Sequence, residues 1–154
     1  MKRWKWIALG VITVAQFVRP ARTAEPLEDT RDFITVTHPT EEARTLLREA
    51  CYDCHSGQPR YPWYMSITPV NWWLQHHIDE AREEGDLSRW TEMSEKHRAH
   101  FVDEAAELIN EGEMPLPSYT WMHGNARLDA RQRELLIDHF QSLPEAEVEW
   151  RRKR

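Results

Sequence analysis

Two cysteines and a histidine fall within five consecutive residues, Cys51, Tyr52, Asp53, Cys54 and His55, and the chain has no other cysteine. On a helical turn, positions 51, 54 and 55 share one side. Two thiols so placed can add to the two vinyl groups of one porphyrin while the imidazole that follows reaches its iron. Cys-x-x-Cys-His is accordingly the attachment signal of a c-type haem. Three other uses of paired cysteines compete with it. A thiol redox motif needs a strand leading in, and here a helical pattern leads in. A zinc site needs further ligands, which His76 or His77 would have to supply without the usual finger spacing. A structural disulfide suits an exported protein, yet cysteines three apart on one helix close only a tiny loop. The residues favour one covalent haem c, held by Cys51 and Cys54, with His55 as the first iron ligand.

The other face of the iron decides what such a group does. A second protein ligand closes that position and favours electron transfer, whereas an open position admits small molecules. Met114, followed by Pro115, lies in an irregular stretch between two helical patterns, where a thioether can fold over a ring. It is the favoured ligand. His77, on an apolar stripe with Trp73, Leu74 and Ile78, is the main rival, and Met122 and Met65 are further candidates. His38, His97, His100 and His123 are expected at the surface. Tyr61, Trp63, Trp72, Trp73, Tyr119 and Trp121 are candidates to wall the ring, and Arg60 to pair with a propionate.

The elements that must position these groups read as helices, with no strand pattern and no internal repeat. Thr40 caps a helix with Glu41 and Glu42 in its first turn, and Ala43, Leu46, Leu47, Ala50, Cys51 and Cys54 recur at helical spacing. Gly57, Pro59 and Pro62 make residues 56–67 a loop. Thr68 and Pro69 open a second helix, running to Gly85 with Val70, Trp73, Leu74, His77, Ile78 and Ala81 inward. A third, from about Ser94 to Glu111, stops at Gly112. Residues 113–128 read as a long loop, after which Asp129 and Gln132 resemble a capping box for a last helix through Leu143. The expected fold is all-α and cytochrome c-like, with a haem-binding domain over residues 40–144. Aliphatic residues are sparse and Trp occurs eight times, so large aromatics and the haem itself are expected to fill the core.

Charge and hydropathy divide the rest of the chain. Residues 1–23 carry Lys2, Arg3 and Lys5 ahead of an apolar run from Trp6 to Val18, the pattern of a signal anchor or signal peptide. The site after Ala24 is poor for cleavage, since Arg22 would sit at its −3 position. An anchor retained in the inner membrane, with the basic end inside and the domain in the periplasm, is therefore expected. The run is shorter than the roughly 20 residues that span a bilayer comfortably. Residues 24–39 read as a tether and 145–154 as a charged tail. Between residues 25 and 150 stand 26 acids and 11 bases, a body that would repel phosphate. Nucleic acid is excluded as a partner, and a redox protein with a basic patch is expected instead.

The stretches CYDCHSGQPRYPWY (51–64) and GEMPLPSY (112–119), with PVNWWLQHHIDEAR, ARLDARQRELLIDHF and the early QFVRPAR, give the chain a strong resemblance to the bacterial haem-binding domain family of single-haem, cytochrome c-like proteins. The resemblance spans most of the chain. It implies Cys51 and Cys54 as attachment points, His55 as proximal ligand, Met114 as the natural distal candidate and the hydrophobic start as a membrane anchor. Its members resemble electron carriers or accessory haem modules. One-electron transfer is the expected role; a haem sensor or peroxidase-like enzyme with an open or displaceable sixth position is the alternative.

Overall fold

The computed structural model describes residues 2–22 and 30–145. All regular structure among them is helical: α1 (Lys2–Ala15), α2 (Phe33–Thr37), α3 (Glu41–Ala50), α4 (Tyr52–His55), α5 (Val70–Glu84), α6 (Glu95–Glu111), α7 (Pro117–Thr120) and α8 (Ala130–Gln141). Short 3₁₀ turns at Trp63–Ser66, Leu87–Glu92 and Gly124–Ala126 join them.

The helix starts follow local chemistry. The side chains of Thr40, Ser94 and Asp129 accept the N–H groups of Ala43, His97 and Gln132 respectively, satisfying donors a helix start leaves orphaned. Gln132 returns a bond to the Asp129 backbone, completing the capping box. Thr68 does not cap α5, which begins at Val70 behind Pro69 with no side-chain cap.

The core forms where α8 packs on α6 and α3. Leu46, Leu47, Val102, Ile109 and Leu136 fill it together with an aromatic group. Phe33 meets Trp90 edge-on at 4.8 Å between ring centroids and Phe140 at 5.7 Å. Such pairs add about 0.5–1.5 kcal/mol each beyond the area they bury.

Several expectations are corrected here. The tether was expected to run to Pro39. Residues 23–29 lie outside the described residues, but residues 33–37 form α2, whose Phe33 and Ile34 are fully buried. Asp32 caps that helix through its bond to the Thr35 N–H, so the chain enters the core before Thr40. The helix begun at Thr40 does not run unbroken through Cys54: it ends at Ala50, Cys51 bends the backbone (φ −119°), and a separate turn follows. The core face of α5 carries Asn71, Gln75 and Ile78, while Trp72 and Trp73 stand nearly half exposed. Among the described tryptophans only Trp90 is buried, so tryptophan fills little of the interior. Of the expected charged tail, residues 146–154 are outside the described residues, and Glu145 is bonded to Arg98 at 2.9 Å.

The expected anchor helix is present only as a shorter element. α1 has 14 residues, and among the described residues no helix is long and apolar enough to cross a membrane.

Candidate haem site

The five-residue motif straddles the break between α3 and α4. The N–H groups of Cys54 and His55 both bond to the Cys51 carbonyl, at 3.1 and 2.9 Å, closing one tight turn. This puts Cys51, Cys54 and His55 on a single cavity of about 360 Å³. Apolar side chains from α6, α8 and their flanks, including Phe101, Ile109, Leu128 and Phe140, line much of the remainder, and Glu80, Glu84 and Glu104 contribute acidic lining.

The two intervening residues are buried and tie the turn to the rest of the fold. Tyr52 donates its hydroxyl to Asp32 (2.9 Å) and accepts the Ile34 N–H (3.2 Å). Asp53 accepts from the Tyr119 hydroxyl (2.6 Å), the Arg60 Nε (2.9 Å) and the Arg60 backbone N–H (3.1 Å). Burial, reinforced by the bond to Asp53, holds the Tyr119 hydroxyl above the usual phenol range. Arg60 thus pairs with Asp53 and, at 3.0 Å, with Glu49. Asp53→Ala is expected to cost about 2 kcal/mol, the scale for leaving a buried hydrogen-bonding group unpaired. The Arg60 side chain is more than half exposed and regains water, and the Tyr119 hydroxyl keeps the Glu49 carbonyl at 3.4 Å, so the loss should not exceed that scale. Asp53→Asn, which keeps an acceptor, should lose less, and denaturant midpoints of the three proteins check both.

His55 is oriented by a backbone carbonyl. Its Nδ1 lies 3.3 Å from the Gly85 oxygen, and its ring packs edge-on against Phe101 at 5.5 Å. Burial lowers its pKa, partly opposed by that hydrogen bond, so the neutral ring prevails at neutral pH. With Nδ1–H donating to Gly85, the lone pair is on Nε2, the arrangement in which imidazoles bind metals. Gly85 is needed for close approach: a Cβ there would sit 2.3 Å from Phe101 Cδ2. Gly85→Ala should displace the Phe101 ring and lower stability by about 1–3 kcal/mol through overpacking, read as a fall in the thermal midpoint.

The two cysteines are free. Burial, then the neighbouring Cys54, pushes the Cys51 thiol up to about 12, and burial followed by Asp53 pushes Cys54 up to about 11. Neutral thiols are poor thiolate ligands and poor exchange nucleophiles. Among the described residues, no group of three or more His, Cys, Asp or Glu side chains is arranged to hold a metal ion.

Met114 reaches the cavity through the end of α6. Gly112, at φ 77°, bonds its N–H to the Ile109 carbonyl, and the Glu113 N–H bonds to that of Leu108. This Schellman pair turns the chain sharply and brings Met114, Pro115 and Leu116 to the cavity wall. His77 also lines it, with Nδ1 on the Trp73 carbonyl (2.9 Å) and its ring 4.4 Å from that of Trp73. Met65 is buried beside a small adjoining cavity that shares Cys54, His77, Leu116 and Tyr119 with the first, and Met122 is 60% exposed and lines neither. The fold therefore gathers Cys51, Cys54, His55, Met114 and His77 on the first cavity, sets Met65 on its neighbour and leaves Met122 out. Contrary to expectation, His123 is partly buried, stacked on Tyr119 at 4.1 Å and within 3.3 Å of the Tyr64 hydroxyl.

Asp53, Tyr52, Asp32 and the Gly85 carbonyl were not legible as site residues. Asp53 falls on the opposite side of the turn from Cys51, and its partners lie up to 66 positions away.

The donor set fits a haem. Two thiols, an imidazole with a free nitrogen and a thioether open onto one largely apolar space, within the roughly 300–1,000 Å³ of cofactor pockets. No curated protein and no solved structure matches the chain. A model of the haem-binding domain, however, matches residues 10–142, a span that includes the cysteine turn, Met114 and every helix that lines the cavity: the chain belongs to the haem-binding domain family.

Proposed function

We propose that this protein is a single-haem c-type cytochrome that carries electrons one at a time in the bacterial cell envelope. Cys51 and Cys54 would hold the group, and His55 and Met114 would supply the ligands of its iron. The observation that carries this reading is the opening of both thiols, the His55 ring and Met114 onto one cavity. When bound, the haem supplies an iron that changes oxidation state by one electron, and a methionine ligand raises its potential. The chain's own residues would orient that iron: Gly85 sets the His55 ring, Asp53 and Tyr52 fix the thiol turn, and largely apolar walls surround the site.

The N-terminal segment attaches the domain to the inner membrane, with Lys2, Arg3 and Lys5 inside and the domain in the periplasm. Excess acid in the body, with Glu80, Glu84 and Glu104 beside the cavity, suits a redox partner with a basic face. Expression in the periplasm together with haem-maturation enzymes tests this function. One haem per chain should survive denaturation, with a c-type pyridine haemochrome, and the reduced protein should not bind carbon monoxide. Rapid carbon monoxide binding would move the protein to the sensor or peroxidase-like class. A colourless product of unaltered polypeptide mass would refute both.

A further inference from the structure

The residues after α1 are fastened to the domain. Gln16 donates from Nε2 to the Thr68 carbonyl and accepts the Thr68 N–H at Oε1, both at 3.0 Å. The Trp72 indole donates to the Val18 carbonyl at 2.9 Å. Arg22 donates to the Met65 carbonyl (3.1 Å) and to Ser66 Oγ (3.0 Å), and lies over the Tyr61 ring. Residues 16–22 thus form a strap that holds the end of α1 at the start of α5. The family match, residues 10–142, includes this strap.

On one side of the strap, α1 exposes Trp4, Trp6, Ile7, Val11 and Val14, each by more than 60%. A helix apolar on all sides belongs in an apolar medium. On the other side, the domain exposes Trp63, Ile67, Val70, Trp72 and Trp73 at the 3₁₀ turn and first helical turn against which the strap is tied. At 1.5 Å per residue α1 is about 21 Å long, short of the roughly 30 Å hydrocarbon layer. A stretch shorter than the hydrocarbon layer is accommodated in part by local thinning of the bilayer, which brings the headgroups close to whatever is fastened at its end. Indole rings favour the membrane–water boundary, and the exposed Arg19 and Arg22 suit anionic headgroups.

We propose that the shoulder formed by Trp63, Ile67, Val70, Trp72 and Trp73 rests in the headgroup layer of the bilayer that receives α1, so the domain rides at a set orientation instead of swinging on a tether. This rests on the membrane attachment proposed above and adds to it a lipid-contact face on the folded domain. The full-length haem-loaded protein is placed in phosphatidylcholine–phosphatidylglycerol vesicles that carry a lipid with a photoactivated diazirine near its headgroup, and adducts are mapped by mass spectrometry. Adducts are expected on residues 4–18 and also on Trp63, Ile67, Val70 and Trp73. A Gln16→Ala, Arg22→Ala double variant should lose the second set several-fold and keep the first. Adducts confined to residues 4–18 would overturn the proposal and leave the attachment standing. Absence from both would remove the attachment too. Shoulder labelling unchanged in the double variant would overturn the strap, and links between two copies at the shoulder, in place of lipid adducts, would overturn the lipid assignment.

Discussion

A Cys51→Ala, Cys54→Ala double variant should emerge from the maturation system with the mass of the bare polypeptide, and acidified solvent should strip any colour it retains. Each single variant should keep its haem through one thioether and show a shifted haemochrome band. The effect extends beyond attachment, because the cavity lies in the core. Phe101, Ile109 and Phe140 of the buried core line it. Haem-free protein should therefore keep helical far-ultraviolet dichroism and lose near-ultraviolet dichroism, as packing around Phe101 and Phe140 loosens. A double variant as rigid as the haem-loaded parent would show that the cavity needs no filler.

Met114→Ala should open the sixth position. Carbon monoxide should then bind the reduced protein rapidly, and the midpoint potential should fall by on the order of 0.2 V, part of the roughly 0.8 V range that axial ligands control. His77→Ala is the matched control, because both side chains line the cavity. It should leave the potential and the carbon monoxide response as they were. The reverse pattern would make His77 the ligand. Potentiometric titration of the three proteins separates the cases, and the parent's spectrum fixes the six-coordinate reference.

Features with short-range causes were readable along the chain. Thr40, Ser94, Asp129 and Gly112 act within one turn of themselves, and each starts or ends a helix as its type requires. The cysteine motif belongs with them, since its spacing alone places both thiols and the imidazole together. Gly112, two residues before Met114, ends α6 and turns the chain there.

Other features depended on surfaces that meet only after folding. Phe33 looked like part of a polar tether, because the rings that pack on it, Trp90 and Phe140, lie far along the chain. The stripe on α5 read as core, yet the fold turns Asn71 and Gln75 inward and Trp72 and Trp73 outward. Hydropathy records a side chain's preference and not which neighbour arrives to meet it. Asp53 shows the same limit, since an acid between two cysteines acquires its role only when Tyr119 and Arg60 reach it.

The order of residues alone determined the haem motif, the helix ends and the charge division, because each arises from atoms a few bonds apart. Tertiary structure decided which methionine reaches the cavity, what clamps the thiol turn and where the tryptophans face. Those outcomes depend on distances between segments remote in sequence, which packing sets and local composition does not encode.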